Sequence, residues 1–299
     1  MHMSACPSLD LRFFDPPAAL ADCLSTIYRL EVDLPEGQTV SDLLLPEWGN
    51  LRFFRSNPPV VDTADGPPLD GCRFQATGPS SRPVPFSIGA TRVWGMGLLP
   101  LGWATYVGEP ASALADTCLD GSTHPAYSRL SGLLTALDNA GPGDDQEFKA
   151  ISDYLLKNAA MPREEHRIRA AQEAMVDPYL LQIPDFAERA GVSTRTLERL
   201  CLKWFGFTPN VVLRRQRLIR SLAAFMNEGN SSWSEAIDRH YHDQPHFVRE
   251  FHYFMGMSPT EYAEQPHPIM DAFMGNRQQS WGKPAPSRDA PEDSAPPQA

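Results

Sequence analysis

Three histidines in the segment "HYHDQPH" are the residues of this sequence with the clearest potential for chemistry. His240, His242 and His246 lie close together, and imidazole nitrogens are common ligands of zinc. A tight structural zinc site needs four ligands, and no cysteine lies near this segment to complete one. We therefore expect these histidines to face solvent or a bound partner, and we predict no metal ion here.

The N-terminal half offers few residues for catalysis. A metal-dependent β-barrel enzyme needs three histidines and a carboxylate on facing strands, but residues 1–160 contain only His2 and His124. The sequence has no GxSxG or P-loop motif, and "WGMGLLPLG" lacks the spacing of a dinucleotide-binding loop. We predict that the protein is not an enzyme and that it needs no cofactor.

Length and composition indicate a cytoplasmic protein of two domains. The chain has 299 residues, of which 42% are hydrophobic, an ordinary fraction for a protein that buries a core. It contains no apolar run of membrane-spanning length, and its first residues lack the pattern of a signal peptide. The five cysteines are scattered, which favours reduced thiols.

Charge is distributed unevenly along the chain. The net charge is −11, but residues 193–220 carry seven basic side chains and a single acid, Glu198. The basic residues are Arg195, Arg199, Lys203, Arg214, Arg215, Arg217 and Arg220. Such a local excess of positive charge is the electrostatic pattern of a nucleic-acid surface, and the average charge of the chain hides it.

Residues 1–160 read as a β-rich domain with trailing helices. Short apolar runs between proline and glycine residues predict strands at 11–14, 23–34, 51–56 and 90–107. Apolar residues at helical spacing then predict helices, a short one at 109–121 and firmer ones at 126–140 and 144–159. With the helical pattern that follows, the fold class is α+β, with a barrel-like or sandwich-like first domain.

Two groups of apolar side chains in this domain allow two interpretations each. Five aromatic residues either fill the core of the barrel, which we favour, or line a ligand pocket: Phe74, Phe86, Trp94, Trp103 and Tyr106. The trailing helices either pack on the barrel or pair two subunits through Leu130, Leu133, Leu134, Leu137, Phe148, Ile151 and Leu155. We expect a homodimer.

The segment "IPDFAERAGVSTRTLERLCLKWFG" predicts two short helices joined by a turn. Gly191 supplies the turn and Ser193 is a favoured N-cap. On the second helix an apolar face formed by Leu197, Leu200, Cys201 and Trp204 lies opposite Arg195, Arg199 and Lys203. By itself this charged face is explained equally well by contact with solvent.

A long basic helix and a second helix-turn-helix unit follow. In "NVVLRRQRLIRSLAAF" we expect the four arginines mostly outward and Val212, Leu213, Gln216, Ile219, Leu222 and Ala223 inward. The second unit is "SWSEAIDRHY" with "PHFVREFHYFMG". We predict an all-α domain over residues 161–267 and a disordered tail, rich in proline and alanine, over 268–299.

The segment "IPDFAERAGVSTRTLERLCLKWFGFTPNVVLRRQRLIRSL" and the later "YHDQPHFVREFHYFMGMSPTEY" resemble the DNA-binding region of AraC-type transcription regulators. The likeness covers about residues 165–263. A weaker likeness, carried by "GPSSRPVPFSIGATRVWGMGLLPLGWATYVGEPASALADTCLDG", connects the first domain with the β-barrel-like N-terminal domain of many such regulators. It implies no particular ligand.

The resemblance implies a cytoplasmic regulator that binds double-stranded DNA. Base and phosphate contacts would come from Thr194, Arg195, Glu198 and Arg199 on the first recognition helix, and from Gln244, His246 and Arg249 on the second. Lys203 and the basic helix, with Arg214 and Arg215, would contact phosphates. A small-molecule effector in the first domain and contact with RNA polymerase would fit the same class.

The second unit departs from the family pattern. His240 stands where the family usually has a glycine, and Pro245 replaces a usual N-cap serine. We therefore expect the second helix to contact mainly the DNA backbone. These departures leave an alternative open, in which the protein binds a ligand or another protein and its helix-turn-helix region has lost specific DNA binding.

Overall fold

A computed structural model of the chain describes residues 7–63, 66–227, 233–238 and 240–273. The N-terminal part consists of antiparallel sheets followed by helices, and the C-terminal part is helical. The predicted α+β class, with a β-rich first domain and an all-α second part, is confirmed.

Two sheets face each other in the first domain. In the described residues the larger sheet has the strand order β1–β2–β8–β4–β6–β9, and the smaller has the order β3–β7–β5. The larger sheet contains β1 Ser8–Phe14, β2 Leu24–Asp33, β4 Gly49–Phe54, β6 Phe74–Thr77, β8 Thr91–Leu98 and β9 Cys118–Asp120. The smaller contains β3 Val40–Leu44, β5 Val60–Val61 and β7 Val84–Ile88.

The larger sheet is covered on both faces, so its two sets of alternating side chains enter different cores. Along β4, Leu51 and Phe53 pack on the side of the trailing helices. Asn50, Arg52 and Phe54 point to the other side, into the space between the two sheets. A polar residue on this strand therefore faces the interior of the domain and not solvent.

Of the helices predicted after the strands, the one at 144–159 is present almost in full, and the one at 126–140 is shorter than predicted. The trailing helices are α1 Pro100–Tyr106, α2 Leu133–Asp138 and α3 Asp144–Asn158. The predicted strand 90–107 is wrong beyond Leu98, because Pro100 begins α1, and proline suits the first turn of a helix. In place of the helix predicted at 109–121, the chain forms a 3-10 turn at Ala111–Ala113 and then β9.

The apolar residues of this domain follow the core interpretation. Phe74, Trp94, Trp103 and Tyr106 are buried between the larger sheet and the helices, whereas Phe86 borders the space between the sheets. The residues suggested for subunit pairing are also packed inside the chain, with Leu130, Leu133, Leu137, Ile151 and Leu155 fully buried. Packing on the sheet therefore accounts for the apolar face of α2 and α3.

Helix α3 is attached to the larger sheet by buried ion pairs. Asp144 accepts hydrogen bonds from Arg29 at 3.0 Å and from Arg92 at 2.8 Å. The Glu147 carboxylate accepts from Arg92 at 2.7 Å and from the indole N–H of Trp94 at 2.5 Å. Burial would raise the pKa of Asp144, but the guanidinium groups around it hold that pKa below its usual value.

Helices make up the second part of the chain. They are α4 Glu165–Ala174, α5 Ile183–Arg189, α6 Thr194–Trp204, α7 Pro209–Asn227, α8 Trp233–Ala236, α9 Gln244–Met255 and α10 Pro259–Ala263. Residues 268–273 form a further helical segment, which packs on the β domain. The expectation of a disordered tail starting at residue 268 is therefore wrong for these six residues, and 274–299 lie outside the described residues.

The attachment of α3 yields a stability prediction. Replacing Glu147 by alanine leaves the buried Trp94 N–H without its acceptor and removes one partner of Arg92. We expect the free energy of unfolding to fall by about 2–3 kcal/mol. Urea denaturation followed by tryptophan fluorescence measures it. The control is Asp145→Ala, because the Asp145 side chain is 87% exposed, and its loss should cost less than about 0.5 kcal/mol. Equal stability of the two variants would contradict this role of Glu147.

Candidate nucleic-acid interface

Helices α5 and α6 form a helix-turn-helix unit whose local signals agree with the sequence. Gly191 adopts the left-handed conformation in the turn, with φ of 64°. Ser193 is the N-cap of α6, and its hydroxyl accepts a hydrogen bond from the backbone N–H of Thr196 at 3.3 Å. The predicted turn and cap are confirmed.

The two faces of α6 are as different as the sequence predicts. Leu197, Leu200, Cys201 and Trp204 are buried in the core. Thr194, Arg195, Glu198 and Arg199 are exposed. Within the described residues, Arg195 and Arg199 form no hydrogen bond or ion pair. Two guanidinium groups and one carboxylate are thus available to a partner over two turns of helix.

One edge of this exposed face borders the β domain. Arg195, Glu198 and Arg199 line an open groove together with Pro110, which precedes the 3-10 turn after α1, and Ser112, which lies within that turn. Lys203, at the end of the same face, forms an ion pair with Glu164 at 2.8 Å and lies over the Trp204 ring. This lysine holds the pKa of Glu164 below its usual value.

Arg215 on α7 is buried, against the expectation that it faces outward. Its side chain is 1% exposed, and its Nη1 donates to the backbone carbonyls of Glu47 at 2.9 Å and Ser80 at 2.8 Å. The guanidinium also lies 4.3 Å from the ring centroid of Trp48. Burial lowers the pKa of Arg215 to about 10, so the group stays charged at neutral pH. Arg215 joins α7 to the β domain and is not available to a phosphate in this structure.

The other arginines of α7 are paired with acidic side chains of the same chain. Arg214 and Arg217 both bind the buried carboxylate of Glu250 on α9, the latter at 2.8 Å. Arg220 binds Asp238 at 2.7 Å. Burial would raise the pKa of Glu250, but its two guanidinium partners hold that pKa below the usual value. Much of the positive charge read from the sequence is therefore compensated inside the domain.

The inward face of α7 also differs from the helical-wheel prediction. Val212, Leu218 and Leu222 are fully buried, while Gln216, Ile219 and Ala223 are only partly buried. Helix α7 contacts α6, α8 and α9, and through Arg215 it contacts the β domain. A helix with neighbours on several sides has no single outward face, and this explains the wrong assignment of Arg215.

Helix α9 is the second helix of the second unit. Its N-cap is Asp243, whose carboxylate accepts from the backbone N–H of His246 at 2.7 Å, so Pro245 occupies the first turn and not the cap. Gln244 and Arg249 are exposed. His246 is half-buried, and burial together with nearby Arg217 lowers the pKa of its imidazole, which favours the neutral form.

The histidines of "HYHDQPH" are not arranged as a metal site in the described part of the chain. The imidazole Nδ1 of His240 lies 2.6 Å from the Asp238 carboxylate, which also binds Arg220. The rings of His242 and His246 are stacked with centroids 5.6 Å apart. Among the described residues, no group of three histidine, cysteine, aspartate or glutamate side chains is placed to hold a metal ion.

The region that holds the two helix-turn-helix units is also the region that matches a known family. Residues 186–265 match the family described as a helix-turn-helix domain. The C-terminal part of the chain is an AraC-type helix-turn-helix domain, preceded by an N-terminal β domain. The resemblance read from the sequence is thereby confirmed.

Solved structures offer only distant likenesses. ToxT from Vibrio cholerae O395, solved bound to (E)-4-(8-methylnaphthalen-1-yl)but-3-enoic acid, is 10% identical, with a TM-score of 0.41 over 86% of this chain and 98% of that one. The AraC-like transcriptional activator CuxR is 15% identical, with a TM-score of 0.29 over 71% of this chain and 86% of that one. Likeness at this level carries no weight for function. No curated protein matches the sequence. In the described residues, no helix has the length and apolar character needed to cross a membrane.

The burial of Arg215 yields a prediction about the contact between the two parts. Arg215→Met keeps the apolar stem but removes the donor of the Ser80 carbonyl and one of the two donors of the Glu47 carbonyl, which still accepts from the backbone N–H of Ser80. We expect the free energy of unfolding to fall by about 2 kcal/mol or more. Arg195→Met is the matched control, because the exposed Arg195 has no internal partner among the described residues and its loss should be nearly neutral. Chemical denaturation compares the two variants, and a neutral Arg215→Met would contradict the docking role.

Proposed function

We propose that this protein is a one-component transcription regulator that binds specific DNA sequences through α6. The observation that carries the proposal is the exposed face of α6, where Arg195 and Arg199 have no internal partners among the described residues. A recognition helix enters the major groove with residues near its N-terminus at the base edges. Thr194, Arg195, Glu198 and Arg199 occupy the first two turns of α6.

The chemistry of these side chains suits base recognition. A guanidinium donates two parallel hydrogen bonds to the O6 and N7 atoms of guanine, which suits Arg195 or Arg199. A carboxylate accepts from the N4 amine of cytosine, which suits Glu198. The preferred target of α6 is therefore a short run of G·C pairs, while Thr194 is placed for a phosphate contact near the helix N-terminus.

Phosphate contacts and the second unit have supporting roles. Lys203 is paired with Glu164 and Arg214 with Glu250, so each must break its ion pair before it can bind a phosphate. Each therefore contributes less to DNA affinity than an unpaired cation would. On α9, Gln244 and Arg249 are exposed and His246 is half-buried. This favours contacts of α9 with the DNA backbone, and with one or two bases at most. Arg215 is left out of the interface because it is buried.

The N-terminal domain is proposed as the sensing or dimerising part, and its cavity between the two sheets is the place for an effector. A homodimer would bind two copies of the target site, and RNA polymerase is the partner that such a regulator would contact. Both assemblies need a surface other than the apolar face of α2 and α3, which is buried in this chain.

A second candidate function is supported by the internal ion pairs of α7. Because Arg214, Arg217 and Arg220 are paired and Arg215 is buried, the DNA-facing charge is smaller than the sequence suggests. The protein would then bind a ligand or another protein without reading DNA. Gel shifts at increasing salt separate the two, since a DNA binder loses affinity steeply as salt displaces its phosphate contacts.

The reader assignment is tested by Arg199→Ala. Genomic fragments are selected with the purified protein, and affinity for the best fragment is measured at fixed salt. Loss of one bidentate base contact should weaken specific binding by about 1–3 kcal/mol and relax the preference at one position. The matched control is Arg167→Ala, which removes an exposed arginine from α4 and should leave binding unchanged. Unaltered affinity and footprint in Arg199→Ala would overturn the assignment of α6.

A further inference from the structure

A cavity between the two sheets of the β domain is closed by the C-terminal end of the described chain. Its walls come from the inward face of the larger sheet, including Tyr28, Asn50 and Arg52, and from Phe86 on the smaller one. Ile269, Met270 and Phe273 complete the lining. We call residues 268–273 the C-terminal plug.

The plug is packed as part of the domain's core. Ile269 is 3% exposed and belongs to the apolar cluster between the sheets. The Phe273 ring meets the Tyr28 ring edge-on, with centroids 4.7 Å apart, and also contacts Phe13. An aliphatic and an aromatic side chain of the C-terminal plug thus occupy the position that an apolar ligand would take in an open cavity.

One buried carboxylate fixes the plug. Asp42 on β3 accepts hydrogen bonds from the backbone N–H groups of Ile269 and Met270, each at 2.9 Å. The imidazole of His267 lies 3.2 Å from the other Asp42 oxygen. Burial would lower the pKa of His267, but Asp42 and the carbonyl of Tyr262 raise it overall.

The plug also contacts the second helix-turn-helix unit. His267, which directly precedes the plug, stacks on Tyr262 of α10, the helix after the second unit, with ring centroids 4.0 Å apart. Met270 packs against the apolar cluster that holds Phe251 and Phe254 of α9. One short segment therefore lines the cavity on one side and supports the core of the second unit on the other.

The space left beside the plug is too small for most ligands. The cavity measures about 70 Å³, whereas an apolar cavity of about 150 Å³ is of the size that admits benzene. Pockets for drug-sized molecules begin at about 300 Å³. A molecule larger than a few heavy atoms can therefore enter only if the side chains of the plug leave.

The polar groups of the cavity define the chemistry of such a molecule. Asn50 is 4% exposed, and its Oδ1 atom is buried with no hydrogen-bond partner in the described residues. A buried acceptor without a partner favours a ligand that brings a donor. The Arg52 guanidinium is already bound to Glu47 at 3.0 Å and to Thr77 at 3.1 Å, so it is compensated and does not call for an anion.

We propose that this cavity binds a neutral, mainly apolar small molecule whose hydroxyl or N–H group donates to Asn50, and that this molecule displaces the C-terminal plug. This ligand would act as a regulatory signal only if the protein is the transcription regulator of the proposed function, on which this inference therefore rests. Binding would free the second helix-turn-helix unit from its Asp42 anchor. By thermodynamic linkage, an interaction that increases the equilibrium constant for docking of the plug would weaken ligand binding by the same factor.

The test uses the full chain without DNA and a pair of probes. The first is 4-butylphenol, which has an apolar body and one donor, and the second is 4-butylanisole, which lacks the donor. Calorimetry measures their affinities for the natural chain and for Phe273→Ala, which weakens the plug at a partly exposed position. Tyr253→Ala is the matched control, because it removes an aromatic ring, 54% exposed, from α9 away from the cavity.

We expect Phe273→Ala to bind 4-butylphenol about tenfold more tightly than the natural chain, because less of the protein is in the closed form. Tyr253→Ala should behave like the natural chain. In Phe273→Ala the phenol should bind more tightly than the anisole, and Asn50→Leu in that background should remove the difference. Equal affinities for the two probes in Phe273→Ala would overturn the assignment of Asn50.

Hydrogen exchange tests the displacement itself. The N–H groups of Ile269 and Met270 are bound to Asp42, so saturating 4-butylphenol should accelerate exchange in peptides covering 267–273 and leave those covering α6 unchanged. Unchanged or slower exchange would overturn the competition, and so would failure of Phe273→Ala to bind either probe. Because no DNA is present in these measurements, their outcome does not depend on the outcome of the Arg199→Ala test of the proposed function.

Discussion

The buried guanidinium of Arg215 is the main polar interaction between the two parts, which also share one apolar core. It binds two backbone carbonyls of the β domain, at Glu47 and Ser80, and packs on Trp48. Burying a charge is costly, and the two hydrogen bonds of Nη1 offset part of that cost, while Nη2 is buried with no hydrogen-bond partner in the described residues. These two bonds hold α7 against the β domain at this point. Helix α7 in turn contacts α6, α8 and α9. Both helix-turn-helix units are thus built on a helix that the β domain anchors.

The same anchoring explains the electrostatics of the C-terminal part. Once α7 is enclosed, its arginines need partners, and Glu250 and Asp238 supply them. The exposed basic side chains that form no ion pair on α6 are Arg195 and Arg199 among the described residues. The pairing of the α7 arginines lowers the positive charge that this part offers to phosphates, so non-specific attraction to DNA is reduced.

Features that depend on a few consecutive residues were predicted correctly from the sequence. Gly191, Ser193 and the apolar stripe of α6 are features of a few consecutive residues, and the structure has them as expected. Prediction failed where contacts with residues distant in the sequence determine the conformation or the position of a segment. The segment after Leu98 is apolar on every side because it is fully buried, so its pattern could not separate strand from helix. Residues 268–273, "PIMDAF", carry three large apolar side chains, but only their contact with Asp42, more than 220 positions away, and with the apolar cluster between the sheets shows that they belong to the β domain.

By itself the sequence determined the α+β class, the turn and cap that precede α6, and the exposed residues of that helix. Those properties follow from hydrophobic period, turn residues and caps, which act over a few positions. Only the tertiary structure decided that Arg215 is an interdomain anchor, that the arginines around it are neutralised, and that Ile269 and Phe273 close a cavity. Each of these depends on which distant side chains and carbonyls meet, and a helical wheel does not contain that information.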